Sequence, residues 1–296
     1  KLPTLKIGKF NFQFLTLIHL IKYKPKYVIC TLELAWPMTL VSVLLYKLIY
    51  SKSKISFWGG WLTKARLLNK IRLKLMNFAD CNFFYCENHK NQLLKFGLKT
   101  EVNIANNTIY VDQSKVKINI NHKKNILFVG SLNSRKKIIT IINCFMSILD
   151  KIPDDIKLII VGKGEKLNSI KKITKNYKKR ILILGEINSA NKLTEIYNKS
   201  AVSISYGQAG LSILQSFGNA TPFITHKNAI SGGEIYNIKN LINGCLVNDE
   251  KDLKNFLIKY INDKNLIEKM CNNSFKYYKK ARTIGNMAKP FLEYAK

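Results

Sequence analysis

Acid is what this chain lacks most. Its 296 residues hold 18 Asp and Glu against 49 Lys and Arg, a formal charge of +31. Carboxylates this scarce argue against the paired acids of glycoside hydrolysis. No Asp-x-Asp pair is present to hold a divalent cation. Arginine is scarcer still, with 5 residues against 44 lysines. A nucleic-acid reader would show more of it, because the guanidinium fork reads phosphates and base edges bidentately. The four histidines, His19, His89, His122 and His226, share no motif, and no nucleophile-elbow sequence supports a Ser-His-Asp triad. Of six cysteines only Cys81 and Cys86 lie close together, and with His89 they lack metal-ligand spacing. Buried free thiols in a reducing compartment are the expectation. Long apolar runs are missing too. The most apolar window, residues 28–50, is broken by Glu33, Pro37 and Lys47 and reads as a strand, a turn and a buried helix rather than a membrane span. With no signal peptide in view, a cytoplasmic protein is expected, peripheral at most to the inner membrane face.

Apolar residues make up 47% of the chain, enough for a substantial core, which excludes disorder. At roughly 150 residues per domain the length suggests two domains. Lysine, 31 asparagines and 38 isoleucines fill over a third of the sequence, and all three have A/T-rich codons. Much of the lysine therefore reads as solvated charge, although the surplus still draws phosphate and anionic lipid.

The second half is the more legible. Short apolar runs at residues 125–129, 157–161 and 180–184 each end in a glycine, Gly130, Gly162 and Gly185. Two more strands follow at 201–205 and 222–225. Helical spacing occupies 138–149, the basic stretch to about 178, 190–199 and 211–217, with closing helices at 250–261 and 265–280. Strand, glycine, helix, repeated at this interval, is the pattern of a doubly wound parallel sheet. The first half reads in the same class, with helices at 10–22, 37–50, 62–76 and 89–96 and strands at 26–31, 54–57, 82–86 and 101–105. A polar linker at about 112–124 separates the halves. The division expected is a first domain over 1–120, a second over 121–280, and a terminal helix over 281–296 that packs back on the first.

Before residue 123 the chain has 19 basic and 5 acidic residues. The helix expected at 62–76 carries Lys64, Arg66, Lys70, Arg72 and Lys74 with no carboxylate. Its stripe of Leu67, Leu68, Ile71 and Leu75 either faces the core beneath a solvated basic back or meets an anionic lipid surface.

In sheets of this kind, ligands bind beyond the carboxyl ends of the strands, where loops feed helix starts. Gly130-Ser131-Leu132-Asn133-Ser134-Arg135-Lys136-Lys137 occupies such an end, with three cations in reach of a diphosphate or, equally, in solvent. Ser205-Tyr206-Gly207-Gln208-Ala209-Gly210-Leu211-Ser212 occupies another, where Gly210 can leave the Leu211 and Ser212 amides open to an anion. Gln215 lies one turn further on. Ser231-Gly232-Gly233-Glu234 makes a third glycine-rich turn, in which Glu234 either touches a donor or caps the helix start.

Residues 126–253 resemble the donor-binding domain of retaining GT-B glycosyltransferases, family 4 in particular. The resemblance rests on Leu127-Phe-Val-Gly-Ser-Leu with Lys136 following, Leu158-Ile-Ile-Val-Gly-Lys-Gly, and Leu182-Ile-Leu-Gly before Glu195-Ile-Tyr197. It continues through Gly210-Leu-Ser-Ile-Leu-Gln, Ala220-Thr-Pro-Phe-Ile-Thr, Gly232-Gly-Glu and Asn243-Gly-Cys-Leu-Val, all in the family's order. Ala79-Asp80 and Asn106-Asn107-Thr108 agree in the first domain. The resemblance implies two Rossmann-like domains facing across a cleft, and retaining, metal-independent transfer of a sugar from a nucleotide donor to a hydroxyl. No cofactor is implied. The acceptor implied is a surface polysaccharide or lipid-linked glycan. Lys136, with Arg135, would stabilise the leaving diphosphate, while Gly130, Ser131, Gly210, Leu211, Ser212, Gln215 and Glu234 would hold the donor.

The chain also departs from the family. Gly207 and Gln215 stand where two glutamates are usual, Ser131 stands for an arginine, and Trp58 for a histidine. A catalytically impaired sugar-nucleotide binder is the first alternative, and a basic nucleic-acid-binding protein the second. The sequence opens on Lys1 and shows no counterpart of the family's first strand and acceptor loop, so roughly 50 to 60 residues are expected to be missing on domain-size grounds.

Overall fold

The computed structural model describes residues 2–60, 62–63 and 65–296; Trp61 of the first glycine-rich turn and Lys64 of the basic helix lie outside the described residues. The chain divides into two units, Lys1–Asn106 with Met287–Lys296, and Asn107–Asn286.

The first unit opens with β1 (Leu5–Ile7) and β2 (Phe10–Phe12), an antiparallel pair in which Ile7 faces Phe10. A helix was expected from residue 10. Instead Phe10, Phe12 and Phe14 alternate with Asn11 and Gln13, a period of two that suits a strand, and α1 (Thr16–Tyr23) starts only afterwards. Then come β3 (Tyr27–Thr31), α2 (Pro37–Ile49), β4 (Lys54–Trp58), α3 (Arg66–Phe78), β5 (Cys81–Phe84), α4 (Glu87–Phe96) and β6 (Glu101–Ile104). Pro37 sits in the first turn of α2, where its missing N–H leaves no bond unmade. The four strands β3-β4-β5-β6 form one parallel sheet.

The helix expected from residue 62 begins at Arg66. Asn69 explains the delay: its side chain accepts from the Thr63 amide at 2.9 Å and donates to the Thr63 carbonyl at 2.7 Å, which holds that segment outside the helix. The apolar stripe of α3 is largely outward. Leu67 is 71% exposed, Leu68 and Ile71 are exposed as well, and Asn69 and Met76 are the buried positions.

The second unit contains β7 (Asn125–Val129), α5 (Ile138–Met146), β8 (Leu158–Val161), α6 (Leu167–Ile173), β9 (Ile181–Gly185), α7 (Ala190–Asn198) and β10 (Ser200–Ile204). It continues through α8 (Ser212–Gly218), β11 (Phe223–His226), β12 (Gly244–Val247), α9 (Glu250–Ile261) and α10 (Lys264–Ala281). The sheet runs β12-β11-β10-β7-β8-β9, with every pairing parallel. One face buries Ile138, Ile141, Ile142 and Phe145 of α5 against Leu253, Leu257 and Ile261 of α9. The other buries Leu193 and Tyr197 of α7 against Leu127, Ile159 and Val161. The last helix, α11 (Ile284–Tyr294), places Phe291 and Tyr294 on the first unit's sheet, with the Phe83 and Phe291 ring centroids 4.4 Å apart.

The segment read as a polar linker is packed into the second unit. Val116 packs against the cluster of Phe217 and Tyr278, and Ile118 and Ile120 pack against the main core. Lys123 is 1% exposed, and its ammonium donates to the carbonyls of Tyr197 and Ser200 and to Thr221 Oγ1 at 3.1–3.2 Å. Burial pulls its pKa below that of an ordinary lysine. The unfolded chain therefore binds this proton more tightly than the native state, and stability rises with pH between the lowered value and the ordinary lysine range. Replacing Lys123 by Met leaves the three acceptors without their donor, a loss of about 2 kcal/mol at neutral pH. Urea unfolding from pH 7 to about 9.5 checks both points: the deficit of Lys123→Met should widen with pH, because only the wild type gains stability across that window.

Candidate functional site

Strand order fixes where a ligand can enter the second unit. From β7 the chain steps outward through β8 to β9, then returns to β10 on the other side of β7 and steps outward through β11 to β12. The loops leaving β7 and β10 consequently diverge to opposite faces, and the crevice between them lies beyond the carboxyl ends of the strands.

Glycine lets the loops approach. A Cβ on Gly162, at φ +146°, would lie 1.9 Å from the Gly130 carbonyl oxygen, so the turn after β8 seats against the turn after β7 only without a side chain. A Cβ on Gly207 would lie 2.2 Å from the Arg135 carbonyl oxygen and 2.8 Å from Lys137 Cγ. Position 207, where the resemblance leads one to expect an acid, is thus occupied by backbone contact.

The β7 loop carries Lys136 into this crevice. Asn133 accepts the Lys136 amide hydrogen at 3.2 Å and so caps the short 3-10 turn Ser134–Lys136. The Lys136 ammonium donates to the Gln208 carbonyl at 3.0 Å, and Ser205 Oγ donates to the same oxygen at 2.7 Å. The Gly207 amide in turn donates to the Lys136 carbonyl at 3.3 Å. Burial lowers the Lys136 pKa, the like charge of Arg135 lowers it further, and Glu234 opposes both. Arg135 itself is exposed. Lys137 lies over the Tyr206 ring at 5.6 Å, and Ser131 Oγ accepts from Asn133 Nδ2 at 2.9 Å.

The loop after β11 braces the other side. Ile230 donates to the Gly207 carbonyl at 3.0 Å and accepts from the Ala209 amide at 2.9 Å. His226 ties down its start: Nδ1 accepts from the Asn228 amide at 3.1 Å, which leaves the proton on Nε2 for the Asn248 carbonyl at 2.7 Å. Beyond Gly210, the Ser212 hydroxyl is buried with no hydrogen-bond partner among the described residues.

The remaining expected site residues are less directly placed. Gln215 lines a hollow of about 50 Å³ with Tyr110, Asn191, Thr194 and Asn219, and neither Lys136 nor Gln208 borders it. Glu234 is 7% exposed, and its carboxylate accepts from Asn107 at 3.2 Å, Ser231 Oγ at 3.1 Å and the Gly232 amide at 3.0 Å. These bonds tie the carboxylate to the glycine-rich turn before it, while Ser231 Oγ accepts from the Ile235 amide at 3.1 Å. Trp58 donates from its indole nitrogen to the Ala105 carbonyl at 3.1 Å and packs edge-on to Phe291. Among the described residues, no three His, Cys, Asp or Glu side chains are grouped to hold a metal ion.

The sequence reading missed Gln208 and Asn133. An asparagine three residues before Lys136 is a recognisable cap signal. A backbone carbonyl 72 residues away leaves no trace in sequence.

Residues 111–277 match the model of the family described as "Glycosyl transferases group 1". The chain belongs to that family. No curated protein matches it in sequence. Its fold is that of the GT-B glycosyltransferases. A variant of S. aureus TarM, solved with Fondaparinux, alpha-GlcNAc-glycerol and UDP, superposes with a TM-score of 0.71 at 14% identity, covering 96% of this chain and 59% of its own. Anabaena Alr3699/HepE in complex with UDP gives 0.72 at 12% identity, covering 94% and 81%. The pneumococcal O-GlcNAc transferase GtfA, with UDP and GlcNAc, gives 0.68 at 14%, covering 94% and 58%. The chain thus spans less than two thirds of TarM and of GtfA.

Restoring a carboxylate at position 207 should damage the site. Gly207→Glu forces its Cβ onto the Arg135 carbonyl, with an expected loss of about 2 kcal/mol, or roughly 4–8 °C in Tm. Gln215→Glu meets no such obstacle and should stay within about 0.5 kcal/mol of wild type. Calorimetric melting of both variants checks the contrast.

Proposed function

We propose that this chain transfers a sugar from a nucleotide-sugar donor to a hydroxyl acceptor, and that the crevice between the β7 and β10 loops receives the donor's diphosphate. The observation that carries this reading is the half-buried Lys136 ammonium, fixed by the Gln208 carbonyl and, among the described residues, without a carboxylate in hydrogen-bond contact. As the glycosidic bond breaks, the leaving diphosphate gains negative charge. A cation already held in place stabilises that charge without reorganisation. Arg135, exposed on the same turn, adds to the field. The buried Ser212 hydroxyl beyond Gly210, without a partner among the described residues, suits a phosphate or sugar oxygen.

By kinship with retaining family 4 enzymes, transfer proceeds with retention and with these cations in the place of a metal. UDP, bound by TarM, HepE and GtfA in their solved structures, is the first nucleotide to try. The acceptor we propose is a growing surface polysaccharide or lipid-linked glycan, met at the cytoplasmic face of an anionic membrane. Among the described residues, no helix is long and apolar enough to cross a membrane. The exposed Leu67, Leu68 and Ile71 of α3, flanked by Arg66, Lys70 and Lys74, fit peripheral contact.

Titration calorimetry with UDP-, GDP- and dTDP-sugars tests the reading. One nucleotide series should bind, and Lys136→Ala should weaken it about 10- to 100-fold, the worth of a charge-assisted hydrogen bond. Absence of binding by every series to the folded protein would contradict the assignment.

A further inference from the structure

A large hollow in the second unit lies away from the β7 and β10 loops. It has a volume of about 750 Å³ and runs between residues 114–122 and α7. All ten lining residues are polar or charged, and none is a Phe, Tyr or Trp that could stack a base. Its walls are tied together. Asn198 accepts from the Lys117 amide at 3.0 Å and donates to the Lys115 carbonyl at 3.0 Å, while the Lys115 ammonium donates to Asn191 at 2.8 Å. Lys115 is ion-paired with Asp112 at 3.3 Å, and Lys117 and Lys199 still outnumber the single acid of the lining, Glu195.

The hollow does not end at α7. His122 and Lys199 also line a second depression of about 440 Å³, bounded by Lys124, Asp155 and Lys157 at the amino ends of β7, β8 and β10. Asn191 and Thr194 are shared with the small hollow at Gln215. The track therefore follows the whole of α7, about 13 Å at the rise of a helix, from the carboxyl end of the sheet toward its amino end. Amide, hydroxyl and ammonium groups along such a track match a chain of sugar hydroxyls punctuated by acidic groups.

We infer that the α7 groove binds an acidic oligosaccharide, at a site separate from the donor loops. The inference goes beyond the transfer reaction and concerns binding alone, so it stands or falls independently of the nucleotide titrations.

The test is calorimetric titration of the full chain with an oligogalacturonate hexamer, a neutral maltohexaose and a single-stranded RNA hexamer. The protein is compared with Lys117→Gln/Lys199→Gln and with Lys171→Gln/Lys172→Gln, which removes equal charge from α6 on the opposite face of the sheet. Thermal melting verifies that both variants are folded. Saturable binding of the acidic hexamer is expected, weakened about tenfold by the groove variant and changed less than about twofold by the α6 variant. No binding, equal binding of maltohexaose, equal loss in the two variants, or tighter binding of the RNA hexamer would each overturn the inference.

Discussion

A lysine ammonium bonded to a backbone carbonyl, rather than to a carboxylate, joins the two loops on which the proposed chemistry depends. Lys136 and Gln208 meet because β7 and β10 are neighbours in the sheet although the chain visits β8 and β9 between them. A carbonyl oxygen satisfies the ammonium's hydrogen bonding and leaves its net charge uncancelled. Burial then makes that charge costly until an anion arrives. A paired lysine would have offered a diphosphate far less.

The acids near these loops have other duties. Glu234 accepts from the Gly232 amide and from Asn107. Glu165 accepts from the Ser134 hydroxyl and amide, and these bonds hold its carboxyl below the usual range. Both serve the shape of the loops. Glycine serves it too, at 162 and 207, where a methyl group would push one turn off another. The absence of an acid at 207 is therefore a packing requirement of this chain.

Much of the second unit was legible because a parallel strand buried on both faces must be apolar throughout, as β8 is. The helix over Glu250–Ile261 was legible from its period, and in the structure the Asp249 side chain caps it. The first unit was harder. Phe10 and Phe12 sit in a stretch rich enough in apolar residues to satisfy a helical period as well as a strand's. Lys123 was invisible, since nothing in a lysine-rich sequence marks which ammonium will be buried under three oxygens. Of the candidate site, Lys136 and its glycine-ended strand could be read from order and spacing. Its partner at Gln208 is a backbone atom, and the engagement of Glu234 depends on Asn107, distant in sequence, so neither was readable.

The central claim is that one diphosphate engages both loops at once. Hydrogen–deuterium exchange with and without a saturating nucleotide-sugar tests it most directly. The account expects slowed exchange in residues 130–137 and 205–212 together, rising with the same ligand dependence. Protection confined to one of these segments, or appearing only elsewhere in the chain, would contradict it.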